Sequence, residues 1–314
     1  MCSIPQAATV PTMYFIGVTT TKSSIMKIFP EWIKILGFPE AKLVGIDLPI
    51  HAAPEDYRAV VEFIKNDALS LGALVTTHKI DIYESAKDLF DELDTYAQMF
   101  GELSCISKRN GKLIGHAKDP ISSGLALQRF IPTRYWQEQH GEVMLLGAGG
   151  SAIAISAYLL NKENGAEIPQ RMIVTDLDHK RLEEIKHILQ GVNHTANVDY
   201  HLITEHGQTD ELLATLPSNS LVINATGLGK DRPGSPISDK AVFPTNSFVW
   251  ELNYRGELGF LHQAKQQQQS KQLHVEDGWI YFIHGWTQVI AEVFDIPLTD
   301  EIMDKIENIS NNLR

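Results

Sequence analysis

Cysteine is nearly absent. Cys2 and Cys105 are the two in 314 residues, too few for a disulfide framework or a cysteine-rich metal site, so the chain reads as the product of a reducing compartment. Positive charge is also scarce: 27 lysines and arginines face 39 aspartates and glutamates, a formal net charge of -12. That balance argues against nucleic acid as a partner, whose binding depends on clustered cations releasing counterions. No run approaches the roughly 18 consecutive apolar residues of a membrane span. The start, Met1-Cys2-Ser3-Ile4-Pro5, lacks the basic and apolar regions of a secretion signal. A cytoplasmic protein is therefore expected, with neither membrane nor nucleic acid as partner. The 12 histidines are scattered, without the paired helical spacing of zinc hydrolases, and no metal is expected.

What is present is an ordinary globular composition, 43% hydrophobic and 21% charged. The chain exceeds the roughly 250 residues that one core fills efficiently, so two domains are expected. Short apolar strands alternate with helical segments in the first third. Met13 to Gly17, Leu43 to Leu48 and Gly72 to Thr77 read as strands, and Ser24 to Leu36 carries apolar residues at helical spacing. Pro54 suits the first turn of a helix through Tyr57, Val60, Val61, Phe63 and Ile64, where its missing N–H costs nothing. The rhythm returns after residue 140 with strands at Glu142 to Leu146, Arg171 to Asp176, Leu221 to Ala225 and Phe248 to Glu251. Such alternation predicts mostly parallel sheet covered on both faces, an α/β fold of the doubly wound kind. Ile121 to Phe130 reads as a connecting helix with Pro132-Thr133 as punctuation, and the domain boundary is put there. The glutamine run 266–269 is too short to mean more than a solvated helix face or loop.

Val143 to Leu146, then Gly147-Ala148-Gly149-Gly150-Ser151-Ala152, then an apolar helix, is the strand–turn–helix context in which a glycine motif signals a dinucleotide. Gly147 would allow the tight turn, Gly149 would let backbone approach a pyrophosphate, and Ala152 would let the helix pack on the sheet. The phosphates would meet free N–H groups and the positive end of the helix dipole. The next strand ends in Asp176, where a carboxylate can accept from both ribose hydroxyls but repels a 2'-phosphate, so NAD is expected over NADP. Capping the following helix is the competing role for Asp176, with Asp178 as rival. Asn224-Ala225-Thr226-Gly227 closes another strand with the small and polar residues that a loop approaching the nicotinamide needs.

This order of motifs resembles the shikimate dehydrogenase family along almost the whole chain, from the Gly17 strand to the helix near Trp286. The lysine strand of that family, Asn-Val-Thr-x-Pro-x-Lys, is similar to Leu74-Val75-Thr76-Thr77-His78-Lys79. Its Gly-x-Asn-Thr-Asp segment is similar to Gly115-His116-Ala117-Lys118-Asp119, and its Gly-Ala-Gly-Gly turn and Asn-Ala-Thr loop match Gly147 to Gly150 and Asn224 to Thr226. The resemblance implies an N-terminal α/β substrate domain over 1–125, completed by C-terminal helices from 280–314. A Rossmann domain would span 126–279. It implies Lys79 and Asp119 as the catalytic pair of an NAD(P)-dependent alcohol dehydrogenase, in the chemistry of aromatic amino acid biosynthesis. Alcohol oxidation needs such a pair, because the hydroxyl proton must move to a group within hydrogen-bond reach as hydride departs. Without the resemblance, Lys79 is a charged residue after a strand and Asp119 a turn residue before Pro120.

The implied substrate pocket departs from the family. Its Ser-x-Ser loop becomes Thr20-Thr21-Lys22-Ser23-Ser24, keeping Ser24 and placing a cation, Lys22, where the first serine would stand. Its Gly-Ala-x-Asn-Thr segment becomes Gly101-Glu102-Leu103-Ser104-Cys105, with Ser104 for the asparagine; Leu74 lies nearest the other missing asparagine. The family's C-terminal glutamine falls at Gly285, and Tyr254 matches its pocket tyrosine. Thr76 and Gln288 complete the candidate substrate contacts, and Tyr281 and Trp286 are expected to add aromatic surface. Each buried ring hydroxyl left unpartnered would lose about 1–3 kcal/mol. An altered carboxylate-bearing substrate, shikimate- or quinate-like, is thus expected. The family's Asn-Arg-Thr, whose arginine grips a 2'-phosphate, becomes Asp176-Leu177-Asp178, again favouring NAD. The partner is a small molecule, with a homodimer as one assembly open to the chain. Competing readings are a nicotinamide-binding sensor without chemistry, a dehydrogenase for an unrelated hydroxy acid, and a folate- or amino-acid-type dehydrogenase. Retention of Lys79 with Asp119 argues against the first. The aspartate within His116 to Pro120, in place of a second lysine or a cysteine, argues against the last.

Overall fold

The computed structural model describes residues 4–162, 168–205, 207–230 and 232–314. The chain divides into two compact units, Met1–Lys118 with Gly285–Arg314, and Asp119–His284. The breaks fall at 118/119 and 284/285, where the sequence suggested 125/126 and 279/280. The helix Asp119–Gln128 packs on Gly150–Leu160 of the second unit, with Gln128 Nε2 donating to Tyr158 at 2.8 Å.

The first unit holds six strands: β1 Thr12–Gly17, β2 Lys42–Asp47, β3 Ser70–Val75, β4 Glu92–Leu93, β5 Cys105–Arg109 and β6 Lys112–His116. They lie in the order β2-β1-β3-β5-β6-β4. β1 runs parallel to both neighbours and is buried throughout, as a strand covered on both faces must be. The sheet is mostly parallel, as expected, but mixed: β5 is antiparallel to β3 and to β6. The hairpin closes at Asn110-Gly111, with φ of 53° and 77°, the left-handed pair a two-residue turn requires. Helix Ile25–Ile35 buries Ile25, Ile28, Phe29, Trp32 and Ile33, one stripe at helical spacing. The final helix, Asp300–Leu313, packs against that helix, and the Trp32 indole donates to Ser310 Oγ at 2.9 Å.

The second unit holds β7 Val143–Leu146, β8 Arg171–Asp176, β9 Asn197–Leu202, β10 Leu221–Asn224, β11 Phe248–Glu251 and β12 His274–Glu276. The order β12-β11-β10-β7-β8-β9 is parallel at every pairing. Counted from the first strand of the unit it reads 3-2-1-4-5-6, the Rossmann arrangement, with its switch point between β7 and β10. Its core gathers Met144, Leu146, Ile173, Val222, Phe243, Val249 and Phe260. β9 and β12, the two edges, carry little sequence pattern, because β9 is half-buried and β12 spans three residues. Among the described residues no helix is long and apolar enough to cross a membrane.

Candidate functional site

In an open parallel sheet the ligand crevice opens beyond the carboxyl ends of the strands flanking the switch point. Here those ends carry Gly147 and Asn224. Gly147 sits at φ +101°, and a Cβ there would lie 2.9 Å from the carbonyl carbon and oxygen of Ala225, so the two turns touch and only glycine fits. Gly149, by contrast, is extended at φ -79°, ψ -174°, and a Cβ there would meet only the Arg181 guanidinium at 3.4 Å. Gly150–Leu160 then begins as a helix without a side-chain cap, starting at Gly150, Ser151 and Ala152. Bare backbone at a helix N-terminus fits a dinucleotide pyrophosphate. Arg181 is a cation at this turn that the sequence pattern did not single out, because a helix-face arginine ordinarily faces solvent.

Asp176 is engaged by backbone N–H groups on both carboxylate oxygens. Its Oδ2 accepts from Ala148 N at 2.7 Å and its Oδ1 from Asp178 N at 2.9 Å, so the carboxylate pins the glycine turn to the end of β8. The helix cap itself is Asp178, which accepts from Lys180 N at 2.8 Å. Asn224 is wholly buried with its amide committed. Its Oδ1 accepts from Thr226 N at 3.1 Å and Thr226 Oγ1 at 2.7 Å, while its Nδ2 donates to Glu251 at 2.7 Å. Asn224 thus shapes the Ala225-Thr226-Gly227 loop from beneath. Glu251 was not anticipated: a strand-ending acid reads as exposed, yet it is 0% accessible. Burial pushes its carboxyl up to about 7, against three N–H donors from Asn253 and Asn224, with Asp277 adding to the rise.

In the first unit, Lys79 is half-buried and opens the helix Lys79–Ala86 just past β3. His78 before it is fully buried, a polar residue with no local signal of burial. Its Nε2 lies 3.1 Å from the Leu48 carbonyl, which can only accept, so Nε2 carries a proton; its Nδ1 lies 3.1 Å from the Tyr57 hydroxyl. That hydroxyl also lies 3.1 Å from Asp81 Oδ2. The carbonyl of Lys79 accepts from Leu103 N at 3.1 Å. Ser104 donates its N–H to His116 O at 2.9 Å and accepts Lys118 N on its hydroxyl at 2.7 Å. Asp119 is the next residue of the chain.

Lys118 is anchored in turn by Glu292 of the helix Trp279–Phe294, at 2.5 Å, and Arg109 reaches the same carboxylate at 3.2 Å. Burial acts upward on Glu292, but the Lys118 hydrogen bond and the His116, Lys118 and Arg109 charges hold it below the usual range. Thr20 N and Oγ1 both donate to Asp47, at 2.8 and 2.6 Å, ordering the loop that leads to Lys22 and Ser24. Lys22 is exposed and Ser24 half-buried, its hydroxyl making no cap bond. Thr76 donates to the Ile16 carbonyl at 3.2 Å, and Gln288 is half-buried. Trp286 is 5% exposed and meets Phe15 edge-on, and Tyr281, half-buried, packs against Trp250. Tyr254 lies against Phe282 and Trp279.

Fold and site together define a two-unit α/β protein whose second unit is a Rossmann unit of the dinucleotide-binding kind. No protein-family model matches the chain. Over 225 residues, 71% of this chain and 73% of the relative, it is 26% identical to shikimate dehydrogenase (NADP(+)) of Lactococcus lactis subsp. cremoris. Over 202 residues, 64% of each, it is 31% identical to the shikimate dehydrogenase (NADP(+)) of Methanothrix thermoacetophila. Among solved structures, quinate dehydrogenase from Corynebacterium glutamicum in complex with NAD superposes with a TM-score of 0.75 at 19% identity, covering 96% of this chain and 99% of that one. Shikimate 5-dehydrogenase from Thermus thermophilus, in complex with NADP(H) and shikimate, superposes at 0.70 and 20% identity over 96% and 99%. The chain is similar in sequence to these shikimate dehydrogenases and shares the fold of the solved shikimate and quinate dehydrogenases.

Proposed function

We propose that the chain is a nicotinamide-dependent oxidoreductase that moves hydride between the cofactor and a hydroxyl-bearing carbon of a carboxylate-bearing, shikimate- or quinate-like substrate. The Gly147 to Ala152 turn, Asp176 and the Asn224 to Gly227 loop would hold the dinucleotide, which accepts hydride when bound. Lys79 takes the hydroxyl proton, and Asp119 orients its ammonium, binds a neighbouring hydroxyl and relays the proton. In the reverse direction Lys79 donates to the carbonyl as negative charge develops on oxygen.

The observation that supports this reading is the turn at the switch point of the Rossmann sheet, where Gly147 can only be glycine and the helix from Gly150 begins without a side-chain cap. Lys22, Ser24, Thr76, Ser104, Tyr254 and Gln288 are the proposed substrate contacts, with Lys22 serving the carboxylate.

For the cofactor we favour NAD. Asp176 is fixed by two N–H donors and Asp178 stands beside it, and a 2'-phosphate would meet both carboxylates, with Arg181 as the opposing cation. Replacing Lys79 by Met tests the chemistry: kcat should fall by about 10²–10⁴-fold while dinucleotide affinity stays near wild type. A screen of shikimate, quinate and other hydroxy acids, read by absorbance of the reduced nicotinamide, supplies the substrate. Unchanged turnover in the Lys79 variant would remove that residue from the mechanism, and tighter NADP than NAD binding would overturn the cofactor preference.

A further inference from the structure

Glu251 closes β11 inside the Rossmann unit, out of contact with solvent, and ties together two loops that leave neighbouring strands. Its Oε1 accepts from Asn253 N at 2.8 Å and Asn253 Nδ2 at 2.7 Å, and its Oε2 accepts from Asn224 Nδ2 at 2.7 Å. Asn253 Nδ2 also reaches the Leu228 carbonyl at 3.1 Å. On the other side, Leu228 N donates to Thr226 Oγ1 at 3.1 Å, and that hydroxyl donates to Asn224 Oδ1 at 2.7 Å. The turn after β10 is therefore held at Thr226 through Asn224 and at Leu228 through Asn253, with Glu251 common to both.

The donors and acceptors allow one assignment. Thr226 N is a fixed donor, so the Asn224 amide must present Oδ1 to it and Nδ2 to Glu251. Every partner of Glu251 is then an N–H. A proton added to Oε2 would face Asn224 Nδ2, which cannot accept it, and Asn224 cannot turn over without releasing Thr226. The network is complementary to the carboxylate and conflicts with the acid.

We propose that Glu251 is a positioning residue for dinucleotide binding: its ionised carboxylate, acting through Asn224 and Asn253, holds the Thr226–Gly229 turn in the shape that meets the Gly147 turn across the switch point. The proposal rests on the dinucleotide reading of this unit. Because burial puts the Glu251 carboxyl at about 7, affinity is coupled to pH near neutrality. Asp277, after β12, is the charged neighbour that raises it; Glu276 on β12 is engaged by His274 at 2.7 Å, and β10 contributes the uncharged Asn224.

The test uses three forms of the full chain: wild type, Glu251→Gln, and the swap Asn224→Asp with Glu251→Gln. NAD and NADP titrations by tryptophan fluorescence are run across neutral pH. Wild-type Kd should rise about tenfold as pH falls through the Glu251 transition, the equivalent of about 1.4 kcal/mol. A glutamine at 251 brings its own NH₂ against Asn224 or Asn253, so affinity should fall by a similar factor and lose its pH dependence. In the swap, the new carboxylate at 224 gives one oxygen to the Thr226 donors and the other to the glutamine NH₂, and the glutamine oxygen serves Asn253. Affinity should return, which a merely space-filling role for residue 251 does not predict. Wild-type Kd and pH profile in Glu251→Gln would overturn the proposal, as would a folded swap variant no tighter than the single one. Should Glu251→Gln fail to fold, the wild-type pH profile and the swap decide the matter. A wild-type chain that binds neither dinucleotide at any pH removes the functional reading, and this one with it.

Discussion

Two glycines separated by one residue should fail in opposite ways when given a methyl group. In Gly147→Ala the new Cβ meets the Ala225 carbonyl carbon and oxygen at 2.9 Å and Thr226 N at 3.1 Å, on a backbone at φ +101°. The positive φ costs an L-residue roughly 1–2 kcal/mol. The contact is backbone against backbone and falls short of the ~3.5–4.0 Å optimum, so one turn must move, at a further ~1–3 kcal/mol. The total is about 2–5 kcal/mol, and at ~2–4 °C per kcal/mol for domains of this size it predicts a Tm drop of roughly 4–20 °C. In Gly149→Ala the backbone already lies in an ordinary extended region, and the methyl meets only the end of Arg181 at 3.4 Å. Its stability should stay within about 0.5 kcal/mol of wild type, while dinucleotide affinity falls at least about tenfold because the bare backbone edge is lost. Calorimetry and a dinucleotide titration on both variants separate the effects. A Gly147→Ala variant that melts with wild type refutes the steric reasoning, and a Gly149→Ala variant that binds NAD with unchanged Kd refutes the assignment of this turn to the cofactor.

Other outcomes follow from single interactions. Ser310→Ala leaves the buried Trp32 N–H without its acceptor at 2.9 Å and should cost about 1–3 kcal/mol in denaturant unfolding. Tyr14→Phe removes the 2.7 Å hydrogen bond to Asp67. Burial acts upward on Asp67, but the Tyr14 hydroxyl, the Ala8 and Leu69 N–H groups and Lys108 bring it below its usual value. Its stabilisation is thus present above the unfolded pKa and lost as pH falls through the folded one; the variant should be less stable at neutral pH, by about 1.5–3 kcal/mol, with the gap narrowing in acid. Glu251 has the reverse sign. Its folded pKa of about 7 exceeds the ordinary 4.5, so the folded state holds the extra proton and stability falls as pH rises between these values, by an amount on the order of 3 kcal/mol. Unfolding midpoints that are flatter with pH in Glu251→Gln than in wild type would bear this out.

Much of the fold was legible because its signals are local. The strand–turn–helix at Gly147, the strands ending in Asp176 and Asn224, and the apolar stripe from Ile25 to Ile33 declare themselves within windows of a few residues, where periodicity and backbone freedom act. Pro54 stands at the first position of its helix, as its missing N–H requires. The hairpin of the first sheet has a local signal as well, Asn110-Gly111, but the flanking Cys105–Arg109 and Lys112–His116 do not alternate cleanly in polarity.

What residue types can do was therefore written in the chain: a glycine turn of the kind that suits phosphates, a carboxylate where a ribose was expected, a lysine and an aspartate on segments resembling those of known dehydrogenases. Which side chains answer one another was decided only by the tertiary structure. It buried Glu251 and His78, turned Asn224 inward to hold a loop, sent Trp286 into packing against Phe15, and set Glu292 on Lys118 across 174 positions of sequence. The physical reason is that desolvation and hydrogen-bond complementarity depend on what packing brings within about 3 Å, and no local window contains that partner.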